Sequence, residues 1–387
     1  MTADAPAAEA AGAPAARRAD TEDVEALHAR VVALACWADQ EAVRAAVAAR
    51  LQRGGRVTAA DVVADLEATA ATAGGVADAA AVRAARRALV DCGARVVVVG
   101  EPGYPRRLAD AWPELGAPLW LFVRGPLDAC ERRPAVAVVG TRRPTLDGVR
   151  TARALGRLLA EHGVVVVSGL ARGIDQAAHR GALDVDGATV AVLGTGFGVD
   201  YPRGAETLRA AIAAAGGLVT EHLPGTPPRP HRFLWRNRIV AGLADATVVV
   251  EGRARSGALQ TARLAAAQGR EVLAVPGSLH APTSQAPLAL IRDGATPVTR
   301  LEDVLEAVDA GGGATAAAAA PPPPEALAPG PARPLLDHLG TVPAAPGALA
   351  AATGLTVPQV LAALADLESR GLAVLTPRGA VRGDAPR

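Results

Sequence analysis

The sequence predicts an α/β protein whose middle part is a parallel β-sheet covered by helices on both faces. Between residues 135 and 277, short apolar runs alternate with segments of helical periodicity, which is the pattern of a parallel sheet buried on both faces. Residues 22–95 carry apolar positions at helical spacing and predict helices. Residues 311–333 are mostly Gly, Ala and Pro, so they predict a linker to a smaller C-terminal domain.

The composition limits the kinds of site that the chain can contain. The 387 residues carry a net charge of +1 and include no lysine, so a site for a polyanion must be local and built from arginine. The three cysteines lie far apart without C-x-x-C spacing, which is typical of free thiols in a reducing compartment. No apolar run approaches the ~20 residues that span a bilayer. We expect a cytoplasmic protein without membrane association.

The N-terminal part contains no sharp motif. Residues 1–20 contain acids and no apolar core, so we expect a disordered tail rather than a signal peptide. Residues 21–95 predict a small helical domain. Two short apolar runs, Val96–Val99 and Leu119–Val123, predict strands, and the Pro- and Gly-containing cluster at 102–105 predicts a turn between them.

The middle domain, which we place at residues 96–310, repeats a unit of strand, loop and helix. Six further apolar runs predict strands: Ala135–Val139, Val164–Val167, Thr189–Leu193, Leu218–Thr220, Ala246–Val250 and Glu271–Val275. Helices are predicted after residue 174 and at Val149–His162, Glu206–Ala215, Leu234–Gly242 and Ser256–Gln268. Ligands of such sheets bind where the carboxyl ends of strands meet helix N-termini, so we expect the functional residues in these loops.

The last domain, which we place at residues 334–387, predicts three helices followed by a hairpin. The predicted elements are Leu335–Leu339, Pro346–Ala352, Val357–Arg370, Leu372–Thr376 and Ala380–Arg382. This order is the pattern of a winged helix. The third helix carries Asp366 and Glu368 and only Arg370 as a base, which is a poor composition for entering a DNA major groove. We therefore expect this helix to contact protein or to pack within the domain.

The loop after the second of the six strands is the sharpest motif. It reads Ser-Gly-Leu-Ala-Arg-Gly-Ile-Asp over residues 168–175. A buried strand that turns on glycines into a helix presents backbone N–H groups to an anion, so Ser168 and Gly169 are candidate phosphate-binding residues. Arg172 either neutralises a phosphate or braces Asp175 and the loop, and the sequence leaves both roles open.

Two other strand-end loops carry similar residues. Gly140, Thr141 and Arg142 follow the first of the six strands, where Arg142 would present a planar donor fork to a phosphate. Gly194 and Gly196 follow the third strand and would let the backbone approach a nucleotide. Neither loop has the G-x-G-x-x-G fingerprint of a dinucleotide-binding protein, so we expect no such cofactor.

Aromatic and arginine residues add a second kind of signal. Phe197 or Tyr201 would offer a stacking surface for a base, and Phe197 is equally consistent with a core position. The densest arginine cluster, residues 229–238, interleaves two aromatics, which suits single-stranded nucleic acid. The candidate contacts in this cluster are Arg236, Asn237 and Arg238. The two arginines cannot share one helix face at that spacing, so we expect part of the cluster to be structural.

A further helix start carries Ser256 and Gly257, which are candidate phosphate contacts, although an N-cap alone explains the serine.

Signals for catalysis are weak. The sequence contains no Gly-x-Ser-x-Gly, and its histidines lack metal-ligand spacing, so we expect no metal site. Asp175 and His179 lie four apart on a predicted helix, and this spacing predicts an orienting salt bridge rather than a catalytic pair.

Together these blocks resemble the DprA/Smf family, the DNA-processing proteins of bacterial natural transformation. The resemblance covers about residues 96–300 and depends on the order and spacing of many blocks. They are residues 137–142, 168–175, 192–196 with 201–202, 224–228, 236–243, 256–259 with 261–262, and 269–272 with 275–277.

This resemblance implies an extended Rossmann-like fold, preceded by a helical SAM-like domain and followed by a winged-helix domain. It also implies no catalytic turnover and no cofactor. Family members bind and protect single-stranded DNA, load the RecA recombinase onto it, and commonly form homodimers through the Rossmann-like domain. Arg142 matches the family's DNA-contacting arginine, and Arg203 falls where relatives carry a basic DNA-contacting residue.

Two other functions stay open beside this one. Glu251 near a phosphate loop permits a nucleotide-processing enzyme of related fold, such as the phosphoribohydrolases of the lysine-decarboxylase-like group. Against that function, their Pro-Gly-Gly-x-Gly-Thr signature is absent. The near-neutral net charge also permits an interaction scaffold with a vestigial pocket.

Overall fold

The computed structural model describes most of the chain. The described residues are 13–37, 63–65, 67–68, 78–111, 118–309, 332–339, 344–369, 373–376 and 379–382. The chain divides into two compact units, residues 1–316 and 317–387. Each unit has a hydrophobic core of its own.

A nine-stranded sheet forms the centre of the first unit. Its strands are β1 (Arg95–Val98), β2 (Trp120–Arg124), β3 (Ala135–Val139), β4 (Val165–Ser168), β5 (Thr189–Val192), β6 (Gly217–Thr220), β7 (Ala246–Val249), β8 (Glu271–Ala274) and β9 (Thr296–Pro297). Their spatial order is β1-β2-β6-β5-β4-β3-β7-β8-β9. The seven strands β3 to β9 pair with one another in parallel orientation, which confirms the predicted parallel sheet. At the β6 edge, β2 pairs antiparallel with β6, and β1 pairs antiparallel with β2.

Both faces of this sheet are buried, as β3 shows. Ala135, Ala137 and Val139 belong to one core cluster, whereas Val136 and Val138 belong to the cluster on the other face. This division follows from the strand period of two, which points successive side chains to opposite faces. Each fully buried valine contributes roughly 1.5–3 kcal/mol relative to an exposed one, so an all-apolar strand is stable only between two covering layers.

Helices cover the two faces. They are α1 (Ala13–Trp37), α2 (Ala79–Asp91), α3 (Arg106–Asp110), α4 (Ala129–Arg132), α5 (Leu146–Glu161), α6 (Ile174–Leu183), α7 (Glu206–Ala215), α8 (Pro230–Gly242), α9 (Gly257–Ala267), α10 (Gln285–Arg292) and α11 (Asp303–Asp309). Three begin at side-chain N-caps: Asp78 accepts from the N–H of Ala80, Thr145 accepts from that of Gly148, and Ser256 accepts from that of Leu259. Such a cap stabilises a helix by about 1 kcal/mol.

The strand order reverses between β3 and β7. From β3 the chain adds β4, β5 and β6 in one direction, then returns to place β7 against the other side of β3. The helices on either side of such a point leave a crevice at the carboxyl ends of the strands. The loops after β3 and β7 therefore border the place where a ligand binds in this class of fold.

The N-terminal helices share the core of the sheet. Val31 and Val32 of α1 and Leu89 of α2 belong to the same buried cluster as β1. α1 begins at Ala13, inside the segment predicted to be a tail. Of residues 60–69, which lie within the predicted helical domain, only 63–65 and 67–68 are described. Most of the predicted linker lies outside the described residues.

The described residues of the second unit form three helices and a hairpin, in the predicted order. They are α12 (Ala332–His338), α13 (Pro346–Thr353), α14 (Val357–Ser369), β10 (Ala373–Thr376) and β11 (Gly379–Arg382). Their core includes Leu335, Leu349, Val360 and Leu364. The side chains of the two acids and the arginine singled out in the third helix lie outside the described residues. Among the described helices none is long and apolar enough to cross a membrane alone, and α13 with the start of α14 passes that test only as a pair bent by 108°.

Candidate nucleic-acid interface

Two adjoining lobes form a cleft over the carboxyl ends of β3, β4, β5 and β7. Lobe one has a volume of about 680 Å³ and lies over the loops after β4 and β5. Lobe two has a volume of about 420 Å³ and lies over the loops after β3 and β7. The residues that line both lobes are Arg142, Arg143, Gly169, Ala171, Phe233 and Arg236. The cleft therefore occupies the crevice that the reversal of strand order creates.

The loop between β4 and α6 is closed by its own carboxylate. Asp175 accepts hydrogen bonds from the backbone N–H groups of Gly169, at 3.1 Å, and Ala171, at 3.2 Å. Gly173 has a φ of +90°, and a Cβ there would lie 2.4 Å from the carbonyl oxygen of Thr141, so only glycine fits this turn. The N–H of Gly169, which we predicted to face a phosphate, is thus already bonded within the protein.

Arg236 forms the floor beneath this loop. Its side chain is 5% exposed, and its Nη1 donates to the carbonyl oxygen of Val192. A Cβ on Gly169 would lie within 2 Å of the guanidinium, at 1.9 Å, so the arginine packs directly on that backbone. Burial lowers the pKa of Arg236 to about 10, which leaves it charged at neutral pH. Burial also raises the pKa of Asp175, and the charge of Arg236 opposes that rise.

Exposed arginines form the rim of lobe one. Arg142, Arg143, Arg172 and Arg203 line it, and all four are exposed. Nη2 of Arg172 lies 3.4 Å from the carbonyl oxygen of Arg203, so the loops after β4 and β5 meet at this rim. In the described residues Arg236, rather than Arg172, supplies the positive charge beside Asp175. Positive charge is therefore concentrated at this rim, although the net charge of the whole chain is only +1.

Two aromatic rings lie between the rim and the floor. The ring centres of Tyr201 and Phe233 are 4.8 Å apart, with the planes inclined by 33°. The guanidinium carbon of Arg142 lies 5.5 Å from the ring centre of Phe233, within the range of a cation–π contact. Both aromatic side chains are half-buried. The cleft thus places a cationic fork and a π-surface side by side.

Lobe two adds a second group of donors. Arg253 and Arg255 follow β7, are exposed and line this lobe together with Ser256 and Gly257 at the start of α9. Nδ2 of Asn237 donates to the carbonyl oxygen of Gly257 at 3.2 Å, which joins α8 to this helix start. A negatively charged group in lobe two would meet two guanidinium groups and the positive end of a helix dipole.

The structure brings most of the predicted site residues into this cleft. Those that line it are Gly140, Thr141, Arg142, Gly169, Arg172, Gly194, Arg203, Arg236, Asn237, Ser256 and Gly257. Four others line neither lobe, namely Ser168, Gly196, Phe197 and Arg238. The reasons differ from residue to residue.

Three of these four residues belong to the packed interior. Ser168 is fully buried, and its Oγ donates to the carbonyl oxygen of Val138 at 2.6 Å. A Cβ on Gly196 would lie within 2 Å of the carbonyl oxygen of Leu223, at 1.9 Å, so this glycine permits loop packing rather than ligand approach. Phe197 is 3% exposed and belongs to the core of the sheet. The stacking role that we considered for Phe197 is therefore wrong.

Arg238 is held by a buried ion pair. Its Nη1 lies 2.7 Å from Oε2 of Glu221, Nη2 donates to Oε1, and the two side chains are 4% and 2% exposed. Its guanidinium carbon also lies 4.7 Å from the ring centre of Trp235. This arginine has no path to a ligand in the cleft, so the prediction that it contacts phosphate is wrong. Arg236 and Arg238 diverge, as their spacing on the helix requires.

The predicted salt bridge between Asp175 and His179 is also wrong. Asp175 bonds to the backbone of its loop, whereas Nδ1 of His179 lies 2.7 Å from Oγ1 of Thr189. Burial lowers the pKa of His179 to about 3, so its ring is neutral under ordinary conditions. An ion pair at this spacing requires a charged ring, which the buried position prevents.

Among the arginine and aromatic residues that line the cleft, sequence reasoning missed four. Phe233 lies in the arginine cluster that we had identified, three residues before Arg236, so the helical repeat could have placed both at the cleft. Arg143 follows Arg142 directly. Arg253 and Arg255 come just after the end of β7, and the rule for strand ends could have found them.

Glu251, the acid that permitted a nucleotide-processing enzyme, is bonded within the protein, as is Asp175. The carboxylate of Glu251 accepts hydrogen bonds from Thr145, through its backbone N–H at 2.9 Å and its hydroxyl at 2.6 Å. Among the described residues, no group of three or more His, Cys, Asp or Glu side chains is arranged to hold a metal ion.

Comparisons with known proteins agree with this architecture. Residues 95–309 match the family model described as DNA recombination-mediator protein A, and residues 318–377 match that of the DprA winged helix domain. The chain is 38% identical to the protein Smf of Escherichia coli over 283 residues, which cover 72% of this chain and 75% of that protein. The structure of DNA processing protein A from Streptococcus pneumoniae superposes with a TM-score of 0.59 at 30% identity, covering 72% of this chain and 95% of that one. The structure of DNA processing protein A from Helicobacter pylori, described for its single-stranded DNA binding mode, superposes with a TM-score of 0.51 at 26% identity. It covers 56% of this chain and 96% of that one.

Proposed function

The chain belongs to the DNA recombination-mediator protein A family, the DprA/Smf proteins, and we propose that its cleft binds single-stranded DNA. The observation that carries this proposal is the juxtaposition of exposed Arg142, Arg172 and Arg203 with the rings of Tyr201 and Phe233. Guanidinium groups neutralise phosphates, while aromatic faces stack on bases of any kind. The H. pylori relative is described for single-stranded DNA binding, which supports the same ligand here.

The cleft suits a strand better than a duplex or a free anion. Direct readout of a duplex requires an element that enters a groove, whereas this site is a concave crevice with a π-surface inside it. Backbone N–H groups contribute less than the sequence predicted, because Asp175 occupies those of Gly169 and Ala171. Phosphate affinity in lobe one therefore comes from arginine side chains, and it is sensitive to salt.

We infer a role as a mediator without catalytic turnover. In this role the protein protects incoming single-stranded DNA in the cytoplasm and loads RecA onto it during natural transformation, acting as a homodimer through its first unit and without a cofactor. Family membership supports this role. The alternative of a nucleotide-processing enzyme depended on Glu251, whose carboxylate is bonded to Thr145 and lines neither lobe.

The double substitution Arg142→Ala with Arg203→Ala tests the site. Fluorescence anisotropy with an oligo-dT strand at several salt concentrations should show weaker binding. The slope of log K against log salt should flatten by about 0.7 for each phosphate contact that is lost. The control is Arg86→Ala with Arg87→Ala, which removes the same charge from exposed positions on α2 and should change affinity little.

The same variants test the mediator role. Wild-type protein should accelerate RecA assembly on a strand coated with single-stranded DNA-binding protein, and the cleft variant should not. Unchanged affinity and unchanged slope in the cleft variant would show that the strand binds elsewhere.

A further inference from the structure

We propose that Glu251 is a positioning residue, which holds the loop of Arg142 in the geometry that binds DNA. The inference rests on the proposed function of the cleft. It concerns the segment 141–145, here called the Arg142 loop, which runs from the end of β3 to the start of α5. The backbone and the side chain of Glu251 hold the two ends of this loop.

The contacts at the two ends are specific. The carbonyl oxygen of Glu251 accepts a hydrogen bond from the N–H of Thr141 at 2.8 Å. Its carboxylate accepts one from the N–H of Thr145 at 2.9 Å and one from the hydroxyl of Thr145 at 2.6 Å. Hydrogen bonds to a carboxylate are about twice as strong as neutral ones. Arg142 and Arg143 therefore project from a loop whose two ends are fixed to one residue of the neighbouring strand end.

Gly148 leaves the space that the carboxylate of Glu251 occupies. A Cβ on Gly148 would lie 2.5 Å from Cδ of Glu251, so any larger residue there would displace the carboxylate. The N–H of Gly148 donates to Oγ1 of Thr145 at 3.0 Å. Carboxylate, hydroxyl and first helical turn thus form one continuous set of hydrogen bonds, which links the Arg142 loop to α5.

The residue is also tied to lobe two. Gly252, the next residue, donates to the carbonyl oxygen of Thr283 at 2.6 Å and accepts from the N–H of Ala286 at 2.8 Å. Arg253 and Arg255 follow directly and line lobe two. Because one short segment is anchored on both sides, Glu251 holds the Arg142 loop in place relative to Arg253 and Arg255.

Electrostatics and positioning predict opposite results when the charge of Glu251 is removed. A carboxylate close to a polyanion site repels the strand, so neutralising it should tighten binding if charge alone matters. If the carboxylate instead holds the Arg142 loop, neutralising it should weaken binding. The sign of the change therefore separates the two explanations.

The test measures binding of an oligo-dT strand by the full chain carrying Glu251→Gln, in the wild-type, Arg142→Ala and Arg203→Ala backgrounds. In the wild-type background we expect about tenfold weaker binding, because interaction energies between residues in contact commonly correspond to a change in affinity of that size. The loss should persist with Arg203→Ala, because that residue lies on another loop. It should vanish with Arg142→Ala, because the arginine that Glu251 positions is then absent.

Gly148→Ala provides a second test that changes no charge. It displaces the carboxylate by steric contact while favouring the helix, since alanine is the better helix former, and it should weaken binding in the same background-dependent way. Thermal unfolding verifies that each variant is folded. If Glu251→Gln does not fold, the binding measured with Gly148→Ala tests the inference. Equal or tighter binding, or a loss that persists with Arg142→Ala, would overturn the inference. If wild-type protein does not bind the strand, or Arg142→Ala binds normally, the proposed function itself fails.

Discussion

At the scale of single residues, burial decides which arginines are available to a ligand. Arg142 is exposed and lies against an aromatic ring, Arg236 is buried beneath the central loop, and Arg238 is paired with Glu221 in the interior. A buried charge is stable only when it is paired or hydrogen-bonded. Arg236 therefore stabilises the floor of the cleft, Arg238 stabilises the interior, and the exposed arginines of the rim supply the charge that a phosphate needs.

Phe197 and Tyr201, the two aromatic residues that follow β5, should behave differently when truncated. Tyr201→Leu removes a half-buried ring from lobe one, and we expect about 1–3 kcal/mol weaker binding of oligo-dT, the range for one stacked base, with little change in stability. Phe197→Ala removes a core ring and should cost about 3–5 kcal/mol of unfolding free energy. Anisotropy and urea titration of both variants measure the two effects. A loss of affinity in folded Phe197→Ala with none in Tyr201→Leu would contradict this assignment.

The sequence identified strand-end positions well but not the directions of their side chains. Gly140, Arg142 and Gly194 were predicted from the rule that ligands meet strand ends, and all line the cleft. Ser168 fits the same rule, yet its hydroxyl bonds to the neighbouring strand. Whether such a residue faces solvent or the next strand depends on packing between distant segments, which a local pattern does not contain.

At the scale of elements, α6 and β5 are joined by a buried polar contact. The hydroxyl of Thr189 donates to the carbonyl oxygen of Val166 at 2.8 Å, so it accepts from Nδ1–H of His179. Nε2 of that ring is then buried and has no hydrogen-bond partner among the described residues. Protonating it would place a second positive charge in the interior near Arg236, which is one reason why the pKa is low.

This contact predicts a pH dependence of stability. His179 has a folded pKa of about 3, whereas the unfolded chain binds the proton near the ordinary pKa of about 6.5. The unfolded state therefore holds more protons between these values, and stability that is present above pH 6.5 is lost as the pH falls. The loss should reach about 2–3 kcal/mol at pH 4.5.

The control is His179→Asn, whose amide N–H can replace Nδ1–H but does not titrate. Its unfolding free energy in urea should fall less than that of wild-type protein between pH 7 and pH 5. Parallel curves for the two proteins would show that this ring does not carry the pH dependence.

Some elements escaped sequence reasoning for identifiable reasons. The direction of β2 is set by pairing with β6, a contact between residues almost a hundred positions apart, and β1 then pairs with β2. α10 contains Pro287, which suggests a loop, but proline is tolerated in the first turn because the N–H groups there need no helical partner. α7 was predicted at its observed bounds, whereas the observed bounds of α5, α8 and α9 differ from the predicted ones by one to four residues at one or both ends.

At the scale of the whole molecule, the cleft belongs entirely to the first unit. Its lining residues fall between Val139 and Thr261, and the described residues of the second unit form a separate core that includes Leu335 and Leu367. The composition of 311–333 predicted such a division, because a segment of Gly, Ala and Pro cannot bury enough apolar surface to order itself. Strand binding and any contact made by the winged helix should therefore be separable.

A chain that ends at residue 316 tests this separation. Since all the rim arginines and both aromatic rings remain, it should bind oligo-dT with an affinity within about twofold of the full chain, and with the same salt slope, because the number of neutralised phosphates is unchanged. The isolated segment 317–387 should show no comparable binding, since the third helix that would enter a groove carries acids. Anisotropy titrations of the three proteins in one buffer measure this, with thermal unfolding as the check that each is folded. A flatter salt slope in the shortened chain would mean that the winged helix contacts phosphates and that the strand extends beyond the cleft.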